Sequence, residues 1–446
     1  MTSPEPTTTA RRAPGGFPVV GIVGGGQLAR MCAGPAAELG ITLSVLSESP
    51  AAAAALVVPH APVGDHTDVE TVRAWARGCD VVTFDHEHVP LEVLAALVSD
   101  GVAVHPGPEA LRHAQDKLVM REALTALGLP CPRWTRARDL ATVDAFAAQV
   151  GDVVVKTPTG GYDGKGVLLV RRDDARARAT LEDWVARADG ADLLVEEAVA
   201  FERELAVLVA RSPSGQASAW PVVETVQTDG ICTEVLAPAP GVTEDEAAQA
   251  MAIGLQVAGA LEVTGVLAVE LFEVVIDGER GLLVNELAMR PHNSGHWTMD
   301  GAVTGQFEQH LRAVLDLPLG DPSARAAWTV MANVLGGEPT DLYPTYRHLM
   351  ARDPGLRLHL YGKGEARPGR IAVRRTAVRL QRPVPHPLLL IGGHRGQVAG
   401  QGLLHTGAQA RGQGVQRRRE GGLQRRGVVP SGQVVQGRHH PRLVVG

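Results

Sequence analysis

Four short apolar runs, FPVVGIV, ITLSVLS, DVVTF and VAVHP, recur between residues 17 and 110, with helical patterns between them. Strands that return after a helix lie parallel, so this spacing predicts a doubly wound α/β parallel sheet. The first turn, GIVGGGQLARM, narrows the choice. Gly24, Gly26 and Ala29 fit G-x-G-x-x-G/A between a strand and a helix. Glu48 ends the next apolar run, where a dinucleotide fold places a ribose-binding carboxylate. Amides at such a turn suit a phosphate, which leaves NAD and other phosphorylated ligands open.

The pattern changes near Val153. DVVVK and GVLLVRR read as strands joined by the glycine-rich TPTGGYDGKG, and LLVEEAV, RELAVLVAR and SAWPVVETV as further strands. A long helix is expected over residues 243–261, then a hairpin of GVLAVELFEVV and GLLVNELAM around IDGER. This texture predicts a mixed or antiparallel sheet with helices. Between the two regions, Pro108 opens one helix expected to run through LRHAQDKLVMREALTAL, ended by Gly128 and Pro130.

Several classes are disfavoured. A net charge of -6 gives no general reason to expect nucleic acid or a membrane surface as partner. No apolar run approaches the ~18 residues of a membrane span. Cys32, Cys79, Cys131 and Cys232 lack metal-ligand spacing and read as reduced thiols of a cytoplasmic protein. Residues 1–16 are rich in Pro, Thr and Ala, carry no signal-type apolar run, and read as a disordered lead-in. From residue 371 onward there is no Asp, Lys, Phe, Trp or Tyr, and Glu420 is the single acid. Arg, Gly, Gln, His and Pro dominate, a composition expected to remain a disordered tail.

Four stretches carry candidate chemistry. In KTPTGGYDGKG, glycines free the backbone to approach an anion, and Lys156 and Lys165 add positive charge; an ordinary flexible hairpin loop is the alternative. Glu270 in AVELF and Glu286 in LLVNELA fall on one face if their strands pair, and two carboxylates with substrate phosphates are a usual way to hold Mg²⁺. RPHNSGHWT gathers donors: Arg290 suits a planar carboxylate or bicarbonate, and His292 an anion or a proton near neutral pH. In YGKGEARPGR, Lys363, Arg367 and Arg370 surround glycines and a proline, a cradle for a sugar phosphate.

Taken in order, GIVGGGQLARM, QDKLVMREAL, KTPTGGYDGKG, VEEAVAFERE, VELF, NELAMRPHNSGHW and HLYGK-x-x-x-RPGR resemble the N5-carboxyaminoimidazole ribonucleotide synthase family of the ATP-grasp superfamily. The resemblance covers residues 17–370 and is most specific in GGYDGKG and RPHNSGHW. It implies ATP-, Mg²⁺- and bicarbonate-dependent carboxylation of 5-aminoimidazole ribonucleotide in purine biosynthesis, commonly by a homodimer. It also implies three domains: an N-terminal Rossmann-like ribonucleotide-binding domain (17–125), a central ATP-grasp lid domain (126–200) and a C-terminal ATP-grasp domain (201–370). The tail, 371–446, lies beyond them.

Carried over by position, Lys117 and Lys156 contact ATP, and Gly161, Tyr162, Asp163, Gly164, Lys165, Gly166 and Val167 form the lid over its phosphates. Glu196, Glu197, Ala198 and Val199 line the adenine pocket and hinge, and Glu204 holds the ribose. Glu270 and Glu286 hold Mg²⁺, with Asn285 beside them. Asp163, Arg290 and His292, followed by Asn293 and Ser294, surround bicarbonate and the aminoimidazole. Gln27, Leu28, Lys363, Arg367 and Arg370 surround the ribonucleotide. The opening turn is then expected to bind a ribonucleotide monophosphate in place of NAD.

Two departures stand out. Gln227 occupies a position where the family usually has a histidine contacting the nucleotide, and it keeps a donor and an acceptor without the capacity for positive charge. After Arg370 the family pattern stops, which suggests a reading-frame change near that residue, in the gene or in its sequencing, and an incomplete C-terminal domain. Two alternatives remain: another ATP-grasp ligase, of the formate-dependent glycinamide ribonucleotide transformylase or biotin-carboxylase type, and a catalytically impaired nucleotide-binding remnant.

Overall fold

Each N-terminal apolar run forms a strand: β1 (Val19–Val23), β2 (Thr42–Leu46), β3 (Val81–Phe84) and β4 (Ala103–Val104). Helices α1 (Gln27–Glu38), α2 (Val69–Ala76) and α3 (Leu91–Ser99) alternate with them. Every pairing is parallel, in the order β2-β1-β3-β4, as the alternation requires. Strand β1 is buried along its whole length, as expected for the centre of a sheet covered on both faces. The computed structural model describes residues 10–160, 166–228, 230–335 and 342–362, and the backbone of Ile371–Arg379.

The single helix expected after Pro108 is two. Helix α4 (Pro108–Gln115) stops at Asp116, whose backbone is extended, and α5 (Lys117–Ala126) starts there with the Asp116 carboxylate accepting from the amides of Leu118 and Val119. An aspartate inside a helical pattern competes for backbone donors and here acts as an N-cap. The break places Lys117 in the first turn of α5.

Next come β5 (Trp134–Ala137), α6 (Leu140–Val150), β6 (Val153–Lys156), β7 (Val167–Val170), α7 (Ala175–Ala188) and β8 (Leu193–Glu197). They form an antiparallel sheet ordered β5-β8-β6-β7, with the expected hairpin registered Val153 to Val170 and Lys156 to Val167.

A larger antiparallel sheet contains β9 (Arg203–Arg211), β10 (Ala217–Ala219), β11 (Val223–Thr228) and β12 (Ile231–Ala237). Helix α8 (Glu244–Ala260) follows, its start fixed by a capping box between Thr243 and Glu246. Then come β13 (Gly265–Ile276), β14 (Glu279–Ala288), α9 (Thr298–Gly301), α10 (Gln306–Val314), β15 (Trp328–Leu335), α11 (Tyr343–Arg352), β16 (Leu356–Leu360) and β17 (Ile371–Arg379). The order is β14-β13-β9-β11-β12-β15-β17-β16, with β10 beside β9. The tail reading is revised at its start: residues 371–379 form a strand between β15 and β16. IAVRRTAVR carries β-branched residues, and an antiparallel neighbour on each side supplies the ladder that composition alone could not show. The rest of the tail lies outside the described residues. No described helix is long and apolar enough to cross a membrane.

Helix α10 couples the N-terminal sheet to β13 of the larger sheet. Its Phe307, Leu311 and Val314 pack with Val20, Ile22 and α1 over one face of the N-terminal sheet. His310, on the same helix, is fully buried: its Nε2 lies 2.9 Å from Thr83 Oγ1, and its Nδ1 accepts from the Val266 amide at 3.1 Å. Burial pushes this imidazole down to about 3, with His105 adding to the effect. The unfolded chain binds a proton below about 6.5 that the folded chain refuses, so stability falls as pH drops through that value. At pH 5 this group is expected to cost about 2 kcal/mol relative to pH 8, and His310→Gln to lose that increment. Urea unfolding at the two pH values checks it; equal pH losses in both proteins would contradict it.

Candidate active site

Strands β13 and β14 set the acidic centre. Glu270 pairs with Glu286, but the next aligned pair is Leu271 with Val284, so Asn285 is the extra residue of a β-bulge. A bulge redirects local groups, and here the Asn285 carbonyl turns to accept from Arg121 at 2.6 Å. Lys117, placed by the break at Asp116, bonds Glu286 at 2.5 Å. Burial alone would raise Glu286, but Lys117 and Lys156 hold it below its ordinary value. No lysine of the described residues bonds Glu270: burial, and then the charges of Glu286 and Glu204, push it up to about 8 against the opposing charges of Arg290 and Lys156. Two hard oxygen donors with excess negative charge fit a divalent cation that shares them with phosphates. Among the described residues no group of three or more His, Cys, Asp or Glu side chains could hold a metal unaided.

A second charge cluster underlies the first. Arg121 on α5 is completely buried, and its Nε bonds Glu196, which is 3% exposed. Lys156, at the end of β6, reaches the other Glu196 oxygen at 2.6 Å. Burial opposes ionisation of Glu196, but Lys156 and Arg121 keep it below the usual carboxylate range. Arg121 also donates to the Val284 carbonyl at 3.0 Å. One guanidinium thus ties β8 to the bulge on β14. Sequence reading missed Arg121; its one signal is its position a helical turn after Lys117.

The remaining nucleotide-side candidates divide. Glu197 turns away from Glu196 and pairs with Arg133 at 2.8 Å, so only its backbone remains for the hinge with Ala198 and Val199. Burial raises Glu204 on β9, and a hydrogen bond from Gln227 on β11 partly offsets that. Gly166 and Val167 are described at the start of β7, and Thr157 donates to the Gly166 carbonyl at 3.0 Å. Gly161, Tyr162, Asp163, Gly164 and Lys165 lie outside the described residues, as do Lys363, Arg367 and Arg370.

Beyond the carboxylates lies the donor cluster. His292 Nε2 is 3.4 Å from Glu270 Oε1, and Arg290 Nε is 3.5 Å from Glu87 Oε2. Glu87, which follows β3, also accepts from the Met289 amide at 2.6 Å, fixing this loop to the N-terminal sheet. Asn293 Oδ1 accepts from Asn333 at 3.1 Å, and Ser294 Oγ is 2.9 Å from His292 Nδ1.

At the glycine turn two of the amides already have carboxylate partners. The Gly25 amide donates to Glu48 at 3.1 Å and the Ala29 amide to Asp85 at 2.7 Å. A Cβ on Gly26 would sit 1.9 Å from Asp85 Oδ2, so only glycine fits there. A hydrogen bond from His86 holds Glu48 well below the usual carboxylate range. With a fixed negative charge at its mouth, the turn favours a hydrogen-bond-donating part of a ligand over its phosphate. Gln27 Oε1 is buried with no hydrogen-bond partner among the described residues, whereas the Leu28 side chain lies in the core and leaves only its peptide for a ligand.

Comparison with known proteins places this geometry. Residues 18–115 match the ribonucleotide synthetase preATP-grasp domain, 122–307 the ATP-grasp domain, and 329–370 the phosphoribosylaminoimidazole carboxylase C-terminal domain. The N5-carboxyaminoimidazole ribonucleotide synthase of Mycobacterium tuberculosis is 57% identical over 357 residues, covering 79% of this chain and 82% of that protein. The Corynebacterium ammoniagenes enzyme of the same name is 47% identical over 355 residues, covering 79% of this chain and 85% of that protein. The crystal structure of the Thermus thermophilus synthetase superposes with TM-score 0.72 at 36% identity, covering 81% of this chain and 94% of that one. An Aspergillus clavatus synthase in complex with ADP and 5-aminoimidazole ribonucleotide gives TM-score 0.72 at 30% identity, covering 82% and 94%. By the length and level of these matches, the chain belongs to the N5-carboxyaminoimidazole ribonucleotide synthase family.

Proposed function

We propose that this protein uses ATP to carboxylate 5-aminoimidazole ribonucleotide on its exocyclic amine, with Glu270 and Glu286 holding Mg²⁺ against the nucleotide phosphates. The observation that carries this reading is the acidic pair on β13 and β14, faced by Lys117 and Lys156 and followed at once by Arg290 and His292. Bicarbonate is a poor electrophile. A bicarbonate oxygen attacks the γ-phosphorus, the bond to the bridging oxygen breaks, and ADP leaves carboxyphosphate behind. The amine nitrogen then attacks the carboxyl carbon, the C–O bond to phosphate breaks, and the amine gives up a proton. Lys156 and Lys117 neutralise charge on the phosphates, and bound Mg²⁺ supplies further electrostatic stabilisation there. Arg290 suits the one-carbon anion, and His292 orients it. Asp163 is assigned to the amine. Lys363, Arg367 and Arg370 take the ribonucleotide phosphate, leaving its hydroxyls for the acidic glycine turn.

The same reading assigns 17–125 to ribonucleotide binding, 126–200 to the lid and 201–370 to the C-terminal ATP-grasp domain, in a cytoplasmic homodimer. The family match ends at residue 370, which supports a reading-frame change there. Peptides from VQRRREGGLQRR in the native protein would refute it.

ADP release, coupled to NADH oxidation, tests the function: the rate should depend on aminoimidazole ribonucleotide and bicarbonate together. Nucleotide binding without that dependence would support the impaired remnant instead. Gln227→His is expected to change the KM for ATP severalfold through its contact with Glu204, leaving the KM for bicarbonate unchanged; an unaltered ATP KM would remove Gln227 from the nucleotide site.

A further inference from the structure

We infer that Gln306 is a positioning residue for His292: its buried carboxamide grips both peptide groups of that histidine and sets the ring against Glu270. The inference rests on the reading of His292 given above. Gln306 opens α10 and is fully buried. Its Oε1 accepts from the His292 amide at 2.9 Å, and its Nε2 donates to the His292 carbonyl at 2.9 Å. One planar side chain therefore makes the two bonds that a neighbouring strand would make. His296 Nδ1 lies 2.6 Å from the same carbonyl and 2.5 Å from Gln306 Nε2, which packs its ring against the carboxamide.

The grip is built into its surroundings. The Gln306 amide donates to Thr298 Oγ1 at 2.8 Å, and Thr298 Oγ1 donates to the Gly295 carbonyl at 2.5 Å. A Cβ on Gly295 would lie 2.4 Å from Gln306 Oε1 and 2.1 Å from Leu208 Cδ2, so the loop closes over the carboxamide only with glycine there. With both peptide groups gripped and Nδ1 beside Ser294 Oγ, the ring directs Nε2 toward Glu270. Burying a carboxamide is costly unless its hydrogen bonds are made, and these all go to the RPHNSGH loop. Because α10 also carries His310 to Thr83, the grip ties His292 to the N-terminal sheet.

Small displacements of reacting groups cost turnover heavily. Gln306→Met, which keeps the volume and loses both bonds, is expected to lower kcat for aminoimidazole ribonucleotide-dependent ADP release about 10- to 100-fold. The KM for ATP should change less than about twofold, since the nucleotide contacts are elsewhere. Gln306→Glu, which keeps the acceptor and loses the donor, is read the same way if the Met variant does not fold. The decisive comparison is the double mutant: in a His292→Ala background either substitution should have no further effect on kcat. An additive loss in that background, or an unchanged kcat in the single variants, would overturn the positioning role alone. If the unsubstituted protein shows no such ADP release, the functional reading fails, and this inference with it.

Discussion

Arg121→Met is expected to lower the unfolding free energy by about 3–5 kcal/mol. Arg121 is wholly buried and makes three bonds that nothing else nearby can make, to Glu196 and to the carbonyls of Val284 and Asn285. Methionine supplies the volume and some apolar contact, so the effect is not that of a cavity. What remains is a nearly buried Glu196 with Lys156 as its one cation among the described residues, and two carbonyls without their donor. Each unsatisfied buried acceptor costs about 1–3 kcal/mol. Arg121→Lys should fall between, because an ammonium cannot span all three acceptors. Urea unfolding measures both; a loss below about 1 kcal/mol for the Met variant would mean that the network contributes little.

Glu286→Gln and Glu270→Gln should each lower kcat about 10²- to 10³-fold by weakening metal-assisted phosphoryl transfer. Their effects on stability should differ. Glu286 is matched by Lys117 at 2.5 Å, so removing its charge leaves a lysine unpaired and lowers the melting temperature. Glu270 is half-buried near two other carboxylates, which hold it mostly protonated at neutral pH, so Gln spares the folded chain that proton uptake and raises the melting temperature of the ligand-free protein. Loss of turnover with a gain of stability is the mark of a charge kept for function. A Glu270→Gln protein that melts lower and turns over normally would contradict this assignment.

The parts legible in the sequence were those set by local pattern. The β13–β14 hairpin followed from two apolar runs around IDGER, and its register places Glu270 opposite Glu286 as expected. The β6–β7 hairpin and the parallel N-terminal sheet were legible for the same reason. The break at Asp116 was not, since helical periodicity continues across it and only the competing side-chain cap ends α4. Arg121, Glu87 and Gln306 were missed because their roles exist only across long sequence separations. The glycine turn shows the limit of motif reading. Its spacing revealed the strand–turn–helix and pointed to Glu48, while Asp85, which accepts from the Ala29 amide, comes from the end of another strand outside the motif.

A crystal of the full chain with ADP and Mn²⁺ in place of Mg²⁺ tests the central claim most directly, because anomalous scattering locates the metal without ambiguity. The account predicts one metal or two within about 2.0–2.3 Å of carboxylate oxygens of both Glu270 and Glu286, with Lys156 against the phosphates. A metal bound elsewhere, or nucleotide phosphates remote from β13 and β14, would contradict it.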